Sequence, residues 1–297
     1  MLTAIVLTFN EERHIARCLN SVRQVADHIL VVDSYSTDRT REIASQFGAQ
    51  VVANKFINHA SQFNFGLDNV PDGTDWVFRV DADELISEEL GREIKILITS
   101  ESTVAGAFIP RRICFQGRMI RHGGVFPAFV MRLFRRGSGQ CLERWMDEHI
   151  AVDGVTVKLR NELIDDSLFP LNWWIQKHNR YSSLEALEVL NRDYQFLAKR
   201  LFDPDRSNVP GINYFAKKAV YDRLPNGLRA FLYFAYRYIF RFGFLDGARG
   251  FAFHFLQGFW YRYLVDLKVA EVRRGLATGG RDVKAIVQDV LEIRLDR

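Results

Sequence analysis

The 297 residues are 48% hydrophobic and 26% charged, with 40 Lys/Arg against 36 Asp/Glu and a net charge of +4. This is the balance of a folded globular chain, and it excludes a disordered, collagen-like or coiled-coil protein. Three scattered cysteines (Cys18, Cys114, Cys141) exclude a disulfide framework or a zinc knuckle and point to a reducing compartment. The opening MLTAIVLTFNEER has neither the basic start nor the long apolar run of a signal peptide.

In chain order, the apolar run over 3–8 predicts a buried strand, and Ile15, Leu19 and Val22 at helical spacing predict a helix over 12–25. A second strand follows at 29–32, a helix from about 37 to 47, and a third strand at 51–52. Residues 59–69 form a helix, 76–80 a fourth strand and 87–98 a helix. Apolar strands alternating with helices predict an α/β, Rossmann-like chain with a mostly parallel central sheet flanked by helices. Ligands bind such sheets beyond the carboxyl ends of the strands. From 101 the period changes. Strands are expected at 108–110 and 132–134, and Asp153-Gly154 predicts a hairpin within 150–157. Residues 1–165 thus form one α/β domain with two halves, 1–100 and 101–165. Residues 166–297 form a helical C-terminal region that ends in an amphipathic helix over 281–297.

The strand ends carry the chemistry. They read Thr8-Phe9-Asn10-Glu11-Glu12, then Asp33-Ser34-Tyr35-Ser36-Thr37-Asp38, then Asp81-Ala82-Asp83-Glu84. Each piece alone could simply cap a helix. Three together on one rim of one sheet point to a site. On an extended chain Asp81 and Asp83 face the same way, and two such carboxylates repel unless a cation lies near them. Oxygen ligands of this kind suit Mg²⁺ or Mn²⁺, which also hold substrate phosphates. Neither a dinucleotide-binding glycine fingerprint nor a P-loop is present, so dehydrogenase and P-loop NTPase readings are disfavoured.

These three motifs, in this order and spacing, resemble those of family 2 glycosyltransferases, inverting enzymes of the GT-A fold that use nucleotide-sugar donors. Gly124-Val-Phe-Pro127, Arg132-Leu-Phe134, Glu148 and Lys177-His-Asn-Arg-Tyr181 resemble the bacterial branch that builds lipopolysaccharide cores and polysaccharide repeats. Where that branch commonly has Gly-Trp-Tyr-Pro-Asp, this chain has Gly-Val-Phe-Pro-Ala128. The resemblance implies that 1–165 is the catalytic domain, with a donor half (1–100) and an acceptor half (101–165), that Thr8, Asn10 and Glu12 line the nucleoside pocket, that Asp33 accepts from a uracil-like base, and that Asp38 orders the loop. Asp81 lies near ribose and diphosphate as part of the metal motif, and Asp83 coordinates the metal. The general base is Glu148, with Asp147 in reserve, and His149 reads as a half-buried histidine. Lys177 and Arg180 clamp the diphosphate or form a solvated basic face. Arg111, Arg112, Arg118, Arg121 and His122 bind an anionic acceptor or are surface charge.

Residues 209–264 hold 18 of the chain's 39 aromatic residues, mixed with arginine and lysine. The uncharged run through 251–261, bounded by Arg249 and Arg262, is too short to span a bilayer. Over 226–244 a helical wheel gathers Leu228, Phe231, Leu232, Ala235, Tyr238, Ile239 and Phe242 on one face, with Phe240 and Phe244 beside arginines on the other. That is the composition of a helix lying on a membrane surface. The alternative is a buried helical hairpin; single-stranded nucleic acid is disfavoured as a partner. The expectation is a metal-dependent, inverting hexosyltransferase using a UDP-sugar. Its acceptor is a glycan or lipid-linked glycan, and it works in the cytoplasm as a peripheral protein at the inner face of the cell membrane. Two other readings stay open. One is a polyprenyl-phosphate sugar transferase of the same fold, whose ionised acceptor needs no base. The other is a non-catalytic, membrane-associated scaffold that binds nucleotide sugars.

Overall fold

The structure, a computed structural model, describes residues 1–142, 149–197, 225–280 and 282–295. Its described residues divide into two compact units. The first holds 1–120, 125–142 and 149–168; the second holds 121–124 and 169 onward.

The first unit is built on parallel strands. β1 (Leu2–Thr8) lies between β2 (His28–Asp33) and β4 (Trp76–Asp81), and β3 (Gln50–Ala53) flanks β2. The register brings Thr8 beside Asp33 and Leu7 beside Asp81, so the polar ends of three strands meet at one rim. The sequence explains the helices between them. α1 (Ile15–Val22) buries Ile15, Cys18, Leu19 and Val22 at helical spacing. α2 (Thr40–Gln46) starts three residues later than expected because Asp38 bonds Thr40 ahead of the first turn. α3 (His59–Asp68) opens with a reciprocal cap between Asn58 and Ser61. Ser87 caps α4 (Glu88–Thr99) by accepting from the Leu90 N–H.

β5 (Glu84–Ile86) follows β4 after only Ala82 and Asp83, yet the two strands do not pair. The sheet runs β3-β2-β1-β4-β8-β6-β12-β5, where β6 is Val104–Phe115, β8 Ala128–Arg135 and β12 Leu163–Asp166. Strands adjacent in sequence therefore stand at distant places in the strand order, and the sheet curls to bring them together. β1 to β4 pair with one another wholly in parallel; β8 enters antiparallel between β4 and β6. β7 (Arg118–Met119) turns back on the end of β6.

The hairpin expected at Asp153-Gly154 does not form. β10 (Ile150–Val152) pairs with β9 (Gly139–Cys141) in a separate two-stranded sheet, while β11 (Val155–Lys158) runs parallel to β6. The turn passes the chain from one sheet to the other. Gly154, at φ +114°, permits it where the Ala105 methyl crowds the backbone.

The second unit is helical. α5 (Leu171–Tyr194) packs Ala186, Leu187 and Leu190 against Val265, Val269 and Val272 of α8 (Tyr261–Ala277), and α9 (Val283–Leu291) closes that core with Ile286, Val287 and Leu291. The continuous helix expected over 226–244 is interrupted. α6 (Leu228–Ala235) widens into a looser turn at 236–240 and stops at Phe242, which takes a left-handed conformation. α7 (Gly247–Phe253) then starts a return arm that widens at 254–260 before α8. Residues 209–224 of the aromatic segment lie outside the described residues. No described helix is long and apolar enough to cross a membrane.

Candidate active site

Two loops at the rim are laced together by their own side chains. Thr8 Oγ1 donates to Asp33 Oδ2 at 3.0 Å, and the Ser36 N–H donates to Asp33 Oδ1 at 2.8 Å. Asn10, left-handed at φ +57°, accepts from the Thr37 N–H at 2.8 Å while its own N–H donates to Ser36 Oγ. Asp38 accepts from the Glu12 N–H at 3.1 Å and the Thr40 N–H at 2.9 Å. Burial would raise the Asp38 carboxyl, but these hydrogen bonds outweigh it and hold it below the ordinary range. The structure thus brings Thr8, Asn10, Glu12, Asp33 and Asp38 together. It also gives Asp33 a different setting from the one the family pattern implies. Its carboxylate is fully buried and already takes three hydrogen bonds from Thr8 and Ser36, so it braces the loop. Phe9 and Tyr35, each 57% exposed, project from the same two loops.

The acidic turn after β4 is not extended. Ala82 and Asp83 form a turn, so the same-side geometry expected for Asp81 and Asp83 is absent. Their surroundings differ sharply. Asp81 Oδ2 accepts from Arg132 of β8 at 2.7 Å, and Arg79 Nε lies 3.5 Å from Oδ1. Burial works against ionisation of Asp81, but the two guanidiniums hold its carboxyl well below the carboxylate range. Arg132 also donates to Glu84 at 2.6 Å, and Glu84 accepts from the Asp81 N–H at 2.8 Å. Burial, with Asp81 adding to it, pushes the Glu84 carboxyl up to about 8 against the pull of Arg132. Asp83 is half-buried, and its carboxylate makes no hydrogen bond or ion pair among the described residues. Its backbone carbonyl accepts from the Asp166 N–H at 3.1 Å, and the Asp81 carbonyl accepts from Cys18 Sγ at 3.6 Å, which fixes the turn from both sides.

This donor set fits a divalent cation in one way. Asp83 offers an unoccupied carboxylate, whereas Asp81 is committed to arginine. No cluster of three ligating side chains exists among the described residues. One protein carboxylate with substrate phosphates is how Mg²⁺ is commonly held.

Motif reading quotes Glu84 and Arg132 without giving them a role, and it passes over Arg79. The signal was present: Arg79 and Arg132 each stand between apolar neighbours inside a strand, and a buried arginine needs an acid. His14 was missed too. It is fully buried, accepts from the Leu168 N–H at Nε2 and therefore carries its proton at Nδ1, which meets Glu11 at 2.6 Å. Asp147 and Glu148 lie outside the described residues, between β9 and β10; His149, just after them, is exposed. Arg111 and Arg112 pair with Asp165 and Glu162. Lys177 and Arg180 belong to the helical unit, where Lys177 lies 4.8 Å from the Trp173 ring centre and Arg180 is exposed.

Residues 3–151 match the model of glycosyl transferase family 2. The chain belongs to that family. An uncharacterized glycosyltransferase of Rickettsia prowazekii is 39% identical over 101 residues, 34% of either chain, so the match spans about a third of that relative's length. The lipopolysaccharide core biosynthesis glycosyltransferase LpsC of Rhizobium meliloti is 27% identical over 62% of this chain and 70% of its own. Among solved structures, glucosyl-3-phosphoglycerate synthase of Mycobacterium tuberculosis is similar at 16% identity and a TM-score of 0.41, covering 59% of this chain and 74% of that one. The mixed α/β architecture and the helical C-terminal region are those expected of a family 2 member with the GT-A fold.

Proposed function

We propose that the protein is an inverting, metal-dependent glycosyltransferase. It moves a sugar from a UDP-sugar to a hydroxyl of a glycan or lipid-linked glycan in bacterial lipopolysaccharide or surface polysaccharide synthesis, in the cytoplasm at the inner face of the membrane. The observation that carries this is the contrast within the acidic turn: Asp81 is neutralised by arginine and Asp83 is left open at a rim of laced polar loops. The similarity to LpsC supports the lipopolysaccharide setting.

In this reading Phe9 and Tyr35 offer flat faces to the base, and Asn10, Glu12 and Asp38 shape the nucleoside pocket that Thr8 and Asp33 brace. Asp83 would hold Mg²⁺ or Mn²⁺, which when bound would supply positive charge beside the departing nucleoside diphosphate. Arg132 fixes Asp81 so that the turn keeps its shape. Glu148, with Asp147 as reserve, takes the proton from the acceptor hydroxyl as it attacks the face opposite the leaving group, which inverts the anomeric centre. Lys177 and Arg180 supply cations for the diphosphate.

Thermal-shift titration tests the donor site. UDP should raise the melting temperature only with Mn²⁺ or Mg²⁺ present, and Asp83→Asn should lose that shift while melting alone as wild type does. No shift in wild type under either condition sinks the reading. Glu148→Gln should keep the UDP shift and lose transfer. Normal turnover there, with Asp147→Asn inactive, moves the base by one residue.

A further inference from the structure

In the helical hairpin of the second unit the usual order of side chains is reversed. Its interior holds charge. Arg237 is 5% exposed and donates to the Gly123 carbonyl and to Gln257; Asp246 takes the His122 ring and the Arg121 and His122 N–H groups; His254 is fully buried beside them. Its exterior is apolar: Phe240 is 70% exposed, and Ile239, Phe242, Leu245 and Phe231 are more than half exposed. Single exposed apolar residues are ordinary, but a connected set is not. Here the rings touch in sequence, Phe242 to Phe244, Tyr238, Phe251, Phe255 and Phe259, with centroids 5.4–6.3 Å apart.

Charge says what covers this face. Residues 225–264 contain five arginines and one acid, Asp246, which is buried. Arg241 and Arg249 are exposed and make no ion pair among the described residues. Aromatic surface with free arginine and no exposed carboxylate suits an anionic bilayer, where rings sit at headgroup depth and guanidiniums meet phosphate. The tip adds an independent sign. Phe242 occupies the left-handed position that ends a helix, where glycine is favoured and a bulky side chain is strained. The chain keeps an exposed phenyl ring at a place where glycine would be more stable.

We propose that the hairpin over 228–260 is a peripheral membrane anchor that inserts its aromatic tip into an anionic leaflet, with Phe242 leading. This deepens the membrane setting proposed above and rests on it for its biological sense, but its test needs no donor. Full-length protein is sedimented with phosphatidylcholine vesicles, with and without phosphatidylglycerol, and its association state is measured by sedimentation velocity. Wild type should bind the anionic vesicles, and less so as salt rises. Phe242→Gly should weaken binding roughly tenfold while melting at the same or higher temperature, so that loss of binding cannot be loss of fold. Arg241→Gln should weaken binding to anionic vesicles and leave binding to neutral ones unchanged. Absence of vesicle binding, or binding that Phe242→Gly leaves intact, overturns the proposal. So does self-association that Phe242→Gly abolishes in a chain that ignores vesicles, for then the face joins two copies. A chain that binds vesicles but shows no UDP shift keeps this inference and loses the donor-site reading.

Discussion

Asp81 and Asp83 are the same residue type two positions apart, and their environments give them different work. Arg132 lies 51 residues further along the chain, and only the curled sheet brings it between Asp81 and Glu84. No local pattern could tell the two aspartates apart. Removing Arg132 would leave Asp81 with Arg79 alone and Glu84 buried without its guanidinium, and breaking a buried pair on one side costs about 3–5 kcal/mol. Arg132→Met should therefore lower the unfolding free energy by that much, read as a lower denaturant midpoint at an unchanged m-value. Arg132→Lys should recover only part, because one ammonium cannot reproduce the planar fork that reaches both acids. Asp83→Asn, at a carboxylate with no partner among the described residues, should stay within about 0.5 kcal/mol of wild type. Equal destabilisation by Asp83→Asn and Arg132→Met would mean that the turn, not the arginine, carries the stability.

β1 to β4 and the helices between them were legible because each obeys a local rule. Buried strands end in polar residues, and Asn58 and Ser87 start helices where capping chemistry requires. Elements whose partners are far away were not. β5 is three residues long and exists only because β12 lies across from it. Asp153-Gly154 has hairpin chemistry, but the free edge of β6 draws β11 away from β10. The hairpin of α6 and α7 defeats pattern reading for another reason: its arginine points inward. That interior makes the hairpin acid-sensitive. Burial, helped by Arg237, lowers His254 to about 4 despite Asp246 at 3.6 Å. An unfolded imidazole titrates near 6.5, so the unfolded state takes up its proton first as pH falls. The stability that neutral His254 supplies is complete above about 6.5 and is lost toward about 4, at most about 3 kcal/mol. Melting temperature should fall across that window, and His254→Leu should make the fall shallower, the remainder belonging to His178, which burial also lowers to about 4. A wild-type slope in that variant would assign the effect to another group.

Across the whole molecule the three cysteines are free thiols, and all lie in the sheet unit. Cys18 sits under the acidic turn, with its thiol on the Asp81 carbonyl. Burial, with Glu84, Asp83 and Asp81 adding to it, pushes Cys18 well above an ordinary thiol, and Cys114 is raised to about 11, again mainly by burial. Cys141 is buried and meets an Arg79 guanidinium nitrogen at 3.9 Å. Thiolate is the reactive form, so near neutral pH the native chain should react slowly with a disulfide reagent at all three positions, and the denatured chain quickly. Reaction in native buffer then reports opening of the sheet unit. Because Cys18 is bonded to the turn that carries Asp83, UDP with Mn²⁺ should slow its modification, whereas acidification that loosens the hairpin should leave it little changed between about pH 6.5 and 5 once the pH-dependence of the reagent is corrected for. Mass spectrometry of the labelled peptides separates the three sites. Fast labelling of Cys18 in the native state, unaffected by UDP and metal, would mean that the turn is not held as the geometry around Arg132, Glu84 and Asp166 requires.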